Sequence, residues 1–383
     1  MGVCYLPDSL RNPEQPRHLN PFARCWKAAG PLVTSILRTI ELMTTVPQHQ
    51  MNPDGLRERA EVSVDPEGPK SSAALPSSNH FVPTVVGGYE DPVTVNRGWR
   101  DTLASINLIV LVVAWPAFLV VTGIAWTESS ILAMALIVFV GGYVHCWLGY
   151  YRHELWHNYF PGLDNPRMFD LVSSVMFSDP QIYRVCHPAH HKYIHSSKDL
   201  EFFCANYNQD RKKRRRQFLL ELVFGNMAWE LDALVRLKRE GKACKWKGRR
   251  ALMNRLAILV PAIALAGWLK PGAGPFVLLT FALTSWLSAV VTRQNQWIEH
   301  LGLQEDGAPL AERDLLTRNL KIDGLLSWLF NFYNHNDARE HTLHHTIPRW
   351  NSRNLPGLAL PPGAQFTTLG EHVRRLYTHY TSL

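Results

Sequence analysis
The segment Tyr183–His195, YRVCHPAHHKYIH, carries His187, His190, His191 and His195. Its H-x-x-H-H pattern returns near the other end of the chain as His341, His344 and His345. With 17 His in 383 residues, roughly 0.03 such triplets are expected by chance, so two of them point to a shared purpose. A third group, Arg152-His153-Glu154-Leu155-Trp156-His157, puts two imidazoles at i,i+4, where a helix points both the same way. Imidazole is the commonest protein ligand for transition metals, and a neutral nitrogen-rich shell suits iron with positions left open for dioxygen. Taken alone, H-E-x-x-H is also the zinc-protease signature, with Glu154 as general base and one further ligand to be found. The many further histidines in spaced groups suit two metals better than one.

The elements that must position these groups are apolar runs. Leu103 to Trp126 is long enough to cross a hydrocarbon core of about 30 Å, and Pro116 is expected to kink it without breaking it. After the turn Thr127-Glu128-Ser129-Ser130, a second run from Ile131 to Tyr151 returns, and Arg152–His157 continues that helix beyond the bilayer. Leu252 to Leu269 and Phe276 to Val291 form a second hairpin, with Pro261 in its first arm and Arg255 able to snorkel. The turn at Thr127 lacks Lys and Arg while Arg97, Arg100 and Arg152 flank the other ends, which predicts that both termini and every histidine group are cytoplasmic. Between the hairpins, Phe218 to Leu237 has helical apolar spacing interrupted by Glu221, Glu230 and Asp232, which predicts one interfacial helix.

Composition narrows the class further. The chain carries a net charge of +8, a pI near 9.2 and a mean hydropathy of -0.12, an average in which long charged stretches dilute concentrated apolar runs. The basic runs Arg211–Arg216 and Lys242–Arg250 sit beside apolar spans, so they read as a face toward anionic headgroups and not as a nucleic-acid surface. Cys4, Cys25, Cys146, Cys186, Cys204 and Cys244 show neither a disulfide framework nor zinc-ribbon spacing. Residues 1–95 are rich in Pro and Ser without sustained periodicity and are expected to form a low-order region ahead of the membrane domain 96–383; they show no cleavable signal peptide.

The chain resembles the membrane fatty acid desaturase family and its hydroxylase relatives. HELWH resembles the first histidine box, YRVCHPAHH the second, EHTLHHTIPRWNSRNLP the third, and QWIEHLGL the single-histidine element that precedes the last box. The resemblance covers roughly residues 100 to 360. It implies an all-α integral membrane fold with four transmembrane helices in two hairpins under a cytoplasmic helical cap. It further implies that His153, His157, His187, His190, His191, His300, His341, His344 and His345 hold two non-heme iron ions. Relatives place an Asn four residues before the single histidine to hold a metal-bound water; here that position is Gln296, with Asn295 adjacent. Asp199 resembles an acid that orients an imidazole N–H, and His195 and His335 flank the boxes as further candidates for such contacts. The implied reaction is O2-dependent insertion of a double bond into a fatty acyl chain. The alternative with the same site is hydroxylation or ketolation of a lipid, alkane or carotenoid. With no heme-binding H-P-G-G segment or dinucleotide-binding glycine motif, electrons are expected from a ferredoxin or cytochrome partner.

Overall fold
The computed structural model describes residues 99–383 except 161, 177, 202–209, 240–247, 335–336, 349–351 and 356–357. The expected low-order region 1–95, Arg97, Cys204, the basic residues from Lys242 to Lys247 and His335 lie outside the described residues. Among the described residues, four helices are long and apolar enough to cross a membrane: α1 (Trp99–Ala125), α2 (Ile131–Trp156), α7 (Gly248–Leu269) and α8 (Gly274–His300). Pro116 is accommodated within α1 and Pro261 within α7. The second and fourth runs extend well past their apolar stretches, so α2 carries His153 and α8 carries His300 as rigid continuations of the spans.

The spans are apolar outside and small or polar inside. Leu103, Ile106, Val110, Ile131, Leu132, Leu136 and Phe139 face outward, where lipid replaces water. Thr280, Thr284, Ser285 and Ser288 of α8 are buried against the neighbouring helices. Helix α8 is the hub, packing on α1, α2 and α7, whereas α1 and α2 share a much smaller contact. Gly141 and Gly142 explain the closeness of α2. A Cβ at Gly141 would lie 2.5 Å from Phe118 Cζ, and one at Gly142 would lie 2.6 Å from Leu287 Cδ2.

Between α2 and α7 run α3 (Asn165–Val175), α4 (Pro180–Tyr193), α5 (Arg211–Phe224) and α6 (Asn226–Arg239). Asp164 and Asp179 cap α3 and α4, each followed by a proline in the first turn, a combination that fixes where these helices start. The single interfacial helix expected over Phe218–Leu237 is two helices instead. The break is Gly225, whose φ of 56° is the left-handed region and whose Cβ position would lie 2.1 Å from Ala289 O on α8. Backbone contact with a span, not local propensity, interrupts the helix.

Several cations flanking the spans also have a different role from the one expected. Arg152 is buried, bonded to the Ser178 hydroxyl, 3.6 Å from Glu230 and stacked over Tyr183 at 4.4 Å. Arg255, expected to snorkel, donates to the Met176 carbonyl at 3.1 Å and to that of Ser178. Arg293 is fully buried, pairs with Glu221 at 2.5 Å and donates to the Glu201 carbonyl at 2.8 Å. These residues are struts between the spans and the helices over them.

After α8 come α9 (Leu310–Leu316), β1 (Arg318–Leu320), α10 (Leu325–Tyr333), α11 (His341–Thr346), a 3-10 turn at Ser352–Asn354, β2 (Gln365–Thr367) and α12 (Leu369–Ser382). The parallel β1–β2 pair, in register Arg318↔Gln365, departs slightly from the all-α expectation in a mostly helical chain. Helix α12 begins with a capping box of Thr368 and Glu371 and seats Leu376, Tyr380 and Leu383 against Phe218, Trp297 and Leu301.

Candidate metal centre
Spacing at i, i+3 and i+4 brings each histidine triplet onto one helix face. Helix α4 presents His187, His190 and His191, and α11 presents His341, His344 and His345. Short α11 is held in place from outside itself. Thr342 N donates to Asn319 Oδ1 of β1 at 3.0 Å, and the Thr342 hydroxyl donates to the Thr317 carbonyl at 2.9 Å. The ends of α2 and α8 add His153, His157 and His300.

All nine histidines converge. Ligand nitrogens of His153, His157, His187, His191 and His344 lie within 4.8 Å of one another, as do those of His190, His300 and His345; His341 groups with His300 and Glu299. The closest Nε2–Nε2 approaches are 3.1 Å for His153 and His344, 3.0 Å for His157 and His187, 3.2 Å for His187 and His191, 2.9 Å for His300 and His341, and 3.2 Å for His341 and His345.

On four of the nine rings the outer nitrogen has a partner that fixes which atom carries the proton. His190 Nδ1 donates to Asp199 Oδ2 at 2.9 Å, His341 Nδ1 to Asp337 Oδ2 at 2.9 Å, and His187 Nδ1 to Glu201 Oε1 at 3.3 Å. His300 is set by a relay. His195 Nδ1 donates to the Arg313 carbonyl at 2.8 Å, which leaves His195 Nε2 to accept from His300 Nδ1 at 2.9 Å. In each case Nε2 is left with a bare lone pair facing other ring nitrogens. Bare lone pairs at such distances repel unless a cation lies between them, so the donor set fits bound metal.

Burial keeps most of these rings unprotonated. It takes His157 down to about 3, and His187, His191, His344 and His345 also fall well below the usual histidine range, with neighbouring imidazoles adding to the effect. His195 falls to about 3, again through burial. Burial acts in the same direction on His190, but Asp199 and Glu201 outweigh it and leave that ring raised.

Of the remaining candidates from the sequence, Asn295 donates to Glu299 Oε1 at 2.8 Å, and Gln296 accepts from Arg293 at 2.9 Å. Both line the cavity beside the imidazoles. His145 is buried away from the cluster and stacks on Trp115 at 4.7 Å. Cys186 packs with Ile182, Trp229, Ala233 and Leu237. Glu154, the general base in a protease reading, is bonded to Arg353 and to the Tyr150 hydroxyl, and Arg353 also holds Asp101 at 3.1 Å. Its carboxylate is committed to joining α1 and α2. Sequence reading missed the contacts of Glu201 and Asp337. Asp337 lies four residues before His341, a spacing that could have flagged it; Glu201 had no comparable signal beyond following Asp199.

The chain matches the fatty acid desaturase family over residues 129–369, a stretch that includes all four histidine elements. It belongs to that family, and with its four long apolar helices it is an integral membrane protein of oxidoreductase type. No curated protein and no solved structure matches it.

Proposed function
We propose that the nine imidazoles hold two iron ions and that the protein is a desaturase introducing a double bond into a lipid acyl chain. The observation that carries this reading is the convergence of nine imidazoles from four helices, four of them with an outer nitrogen bonded so that Nε2 faces the cluster. The ring nitrogens approach one another to between 2.9 and 3.2 Å, close enough for neighbouring rings to share a metal ion.

Bound iron would supply the activation of dioxygen that side chains alone cannot perform. The balance is one –CH2–CH2– unit, O2, two electrons and two protons giving –CH=CH– and two waters. The chain's own part is to exclude bulk water, keep the Nε2 atoms unprotonated and hold the Nδ1 protons on Asp199, Glu201, Asp337 and His195. Glu299, whose Oε2 is 3.3 Å from His341 Nε2, is the carboxyl placed to move a proton at the cavity.

The histidine side is read as cytoplasmic. Lys270 pairs with Glu128 at 2.5 Å, which supports both short turns lying at the opposite end of the bundle. The basic start of α5, Arg211–Arg216, would draw an acidic ferredoxin or cytochrome that delivers the electrons.

The test is metal analysis of the purified protein, followed by expression with an electron donor and lipid mass spectrometry. Two irons per chain, and loss of two hydrogens that disappears in His187→Ala and His344→Ala, are expected. Gain of oxygen would assign hydroxylation instead. A single zinc, with activity surviving both substitutions, would sink the proposal.

A further inference from the structure
A cavity of about 80 Å³ adjoins the ring nitrogens between α2, α8 and α10. By the roughly 10–15 Å³ that one water-sized group needs, it has room for about five such groups, enough for the reacting segment of a lipid. Histidines form one wall. Facing them are Asn226, Thr292, Asn295, Gln296, Tyr333 and Asn334, a polar surface at a place where a plain acyl chain offers nothing to bond.

Three polar atoms of that wall, Asn226 Oδ1, Asn295 Oδ1 and the Tyr333 hydroxyl, are buried without a hydrogen-bond partner. Tyr333 is 3% exposed and Asn295 6% exposed, so bulk water does not serve them. Asn295 has already committed its donor group, giving Nδ2 to Glu299 Oε1 at 2.8 Å and, once the Asn334 amide is turned over so that its oxygen and nitrogen both find partners, to that oxygen at 3.0 Å. What it turns to the cavity is therefore an acceptor, whereas Tyr333 offers a donor. A hydroxyl group answers both at once, donating to Asn295 and accepting from Tyr333; a carbonyl could answer only Tyr333.

We propose that the lipid oxidised at this centre carries a hydroxyl group near the reacting carbon, bound between Asn295 and Tyr333. This deepens the desaturase reading and rests on it for the identity of the site. A site built around a substrate hydroxyl rejects the analogue lacking it by up to about 10⁴-fold, because its buried polar groups are then stranded.

The experiment is competition binding to the full metal-loaded chain in detergent, pairing methyl stearate with a set of methyl hydroxystearates differing in hydroxyl position, and cholestane with cholesterol. In at least one pair the alcohol is expected to bind about 30-fold tighter or more, a margin within the range such sites reach. Tyr333→Phe, which removes one oxygen and no volume the packing needs, should shrink that margin about tenfold. Equal binding within every pair would overturn the proposal, as would a preference untouched by Tyr333→Phe. Preference for the alcohol without any oxidised product would uphold this proposal and count against the desaturase reading, so the two fail separately.

Discussion
At His300 the proton on Nδ1 is committed to His195, and His195 is itself tied to the Arg313 carbonyl. His195 adopts a φ of 54°, a left-handed conformation that a non-glycine residue keeps only when its surroundings hold it there. The Glu305 N–H, bonded to the His195 carbonyl at 2.7 Å, is part of that hold. Removing such outer partners typically lowers metal affinity by about 10–100-fold. His195→Leu and Asp337→Ala are each expected to do so, measured as iron retained through a chelator titration, with the helical signal unchanged. Acid should act on the same residues. His157 and His195 titrate near 6.5 in the unfolded chain but near 3 when folded. Between those values the unfolded state binds more protons, so stability rises with pH and is lost on acidification below 6.5. Each ring contributes a slope of about 1.4 kcal/mol per pH unit in that window. Melting of the metal-free protein in detergent from pH 7 to pH 5 should show a falling midpoint; a flat profile would contradict this account.

Elements depend on a few contacts that local propensity does not reveal. Helices α5 and α6 meet at Gly225 because the backbone of α8 passes there. Gly225→Ala would need both a left-handed alanine and a shift of the Ala289 carbonyl, at a cost of about 2 kcal/mol or more. Thermal denaturation in detergent checks it. The buried Arg293–Glu221 pair gives a second case at this scale. Arg293→Met leaves Glu221 buried beside only the Gln217 amide, at 2.9 Å, and should destabilise by about 3–5 kcal/mol. The double change Arg293→Met with Glu221→Met should recover much of that loss, since two well-packed apolar side chains replace the stranded charge. Failure of the second substitution to rescue the first would show that Arg293 acts chiefly through the Glu201 carbonyl.

For the whole molecule, the proposed topology puts the short turns at one membrane face and the histidines at the other. A cysteine placed at Ser129 and one at Lys198, each in a background stripped of native cysteines, should react with an impermeant thiol reagent from opposite faces of sealed vesicles. Labelling of both from one face would overturn the topology on which the cytoplasmic assignment rests. The Lys270–Glu128 ion pair is 40% and 66% exposed on its side chains, so its loss should change stability little and leave that topology intact.

Four apolar runs and two H-x-x-H-H triplets were legible in the sequence because period and composition are local properties. The lengths of the spans, the helix faces carrying His187, His190 and His191, and the desaturase family all follow from residues close together in the chain. Tertiary structure alone decided the rest. Nothing near Glu201 or Asp337 announces which ring each would hold, because those contacts depend on where the chain returns after a loop. Arg152 and Arg255 read as flanking charges until folding buried the first and bonded the second to two backbone carbonyls. The break at Gly225 comes from a helix more than sixty residues further along. The unpaired hydroxyl of Tyr333 acquires meaning only when α8 and α10 close a cavity around it. Spacing along a chain determines which side chains share a face; the packing of distant helices determines what that face meets.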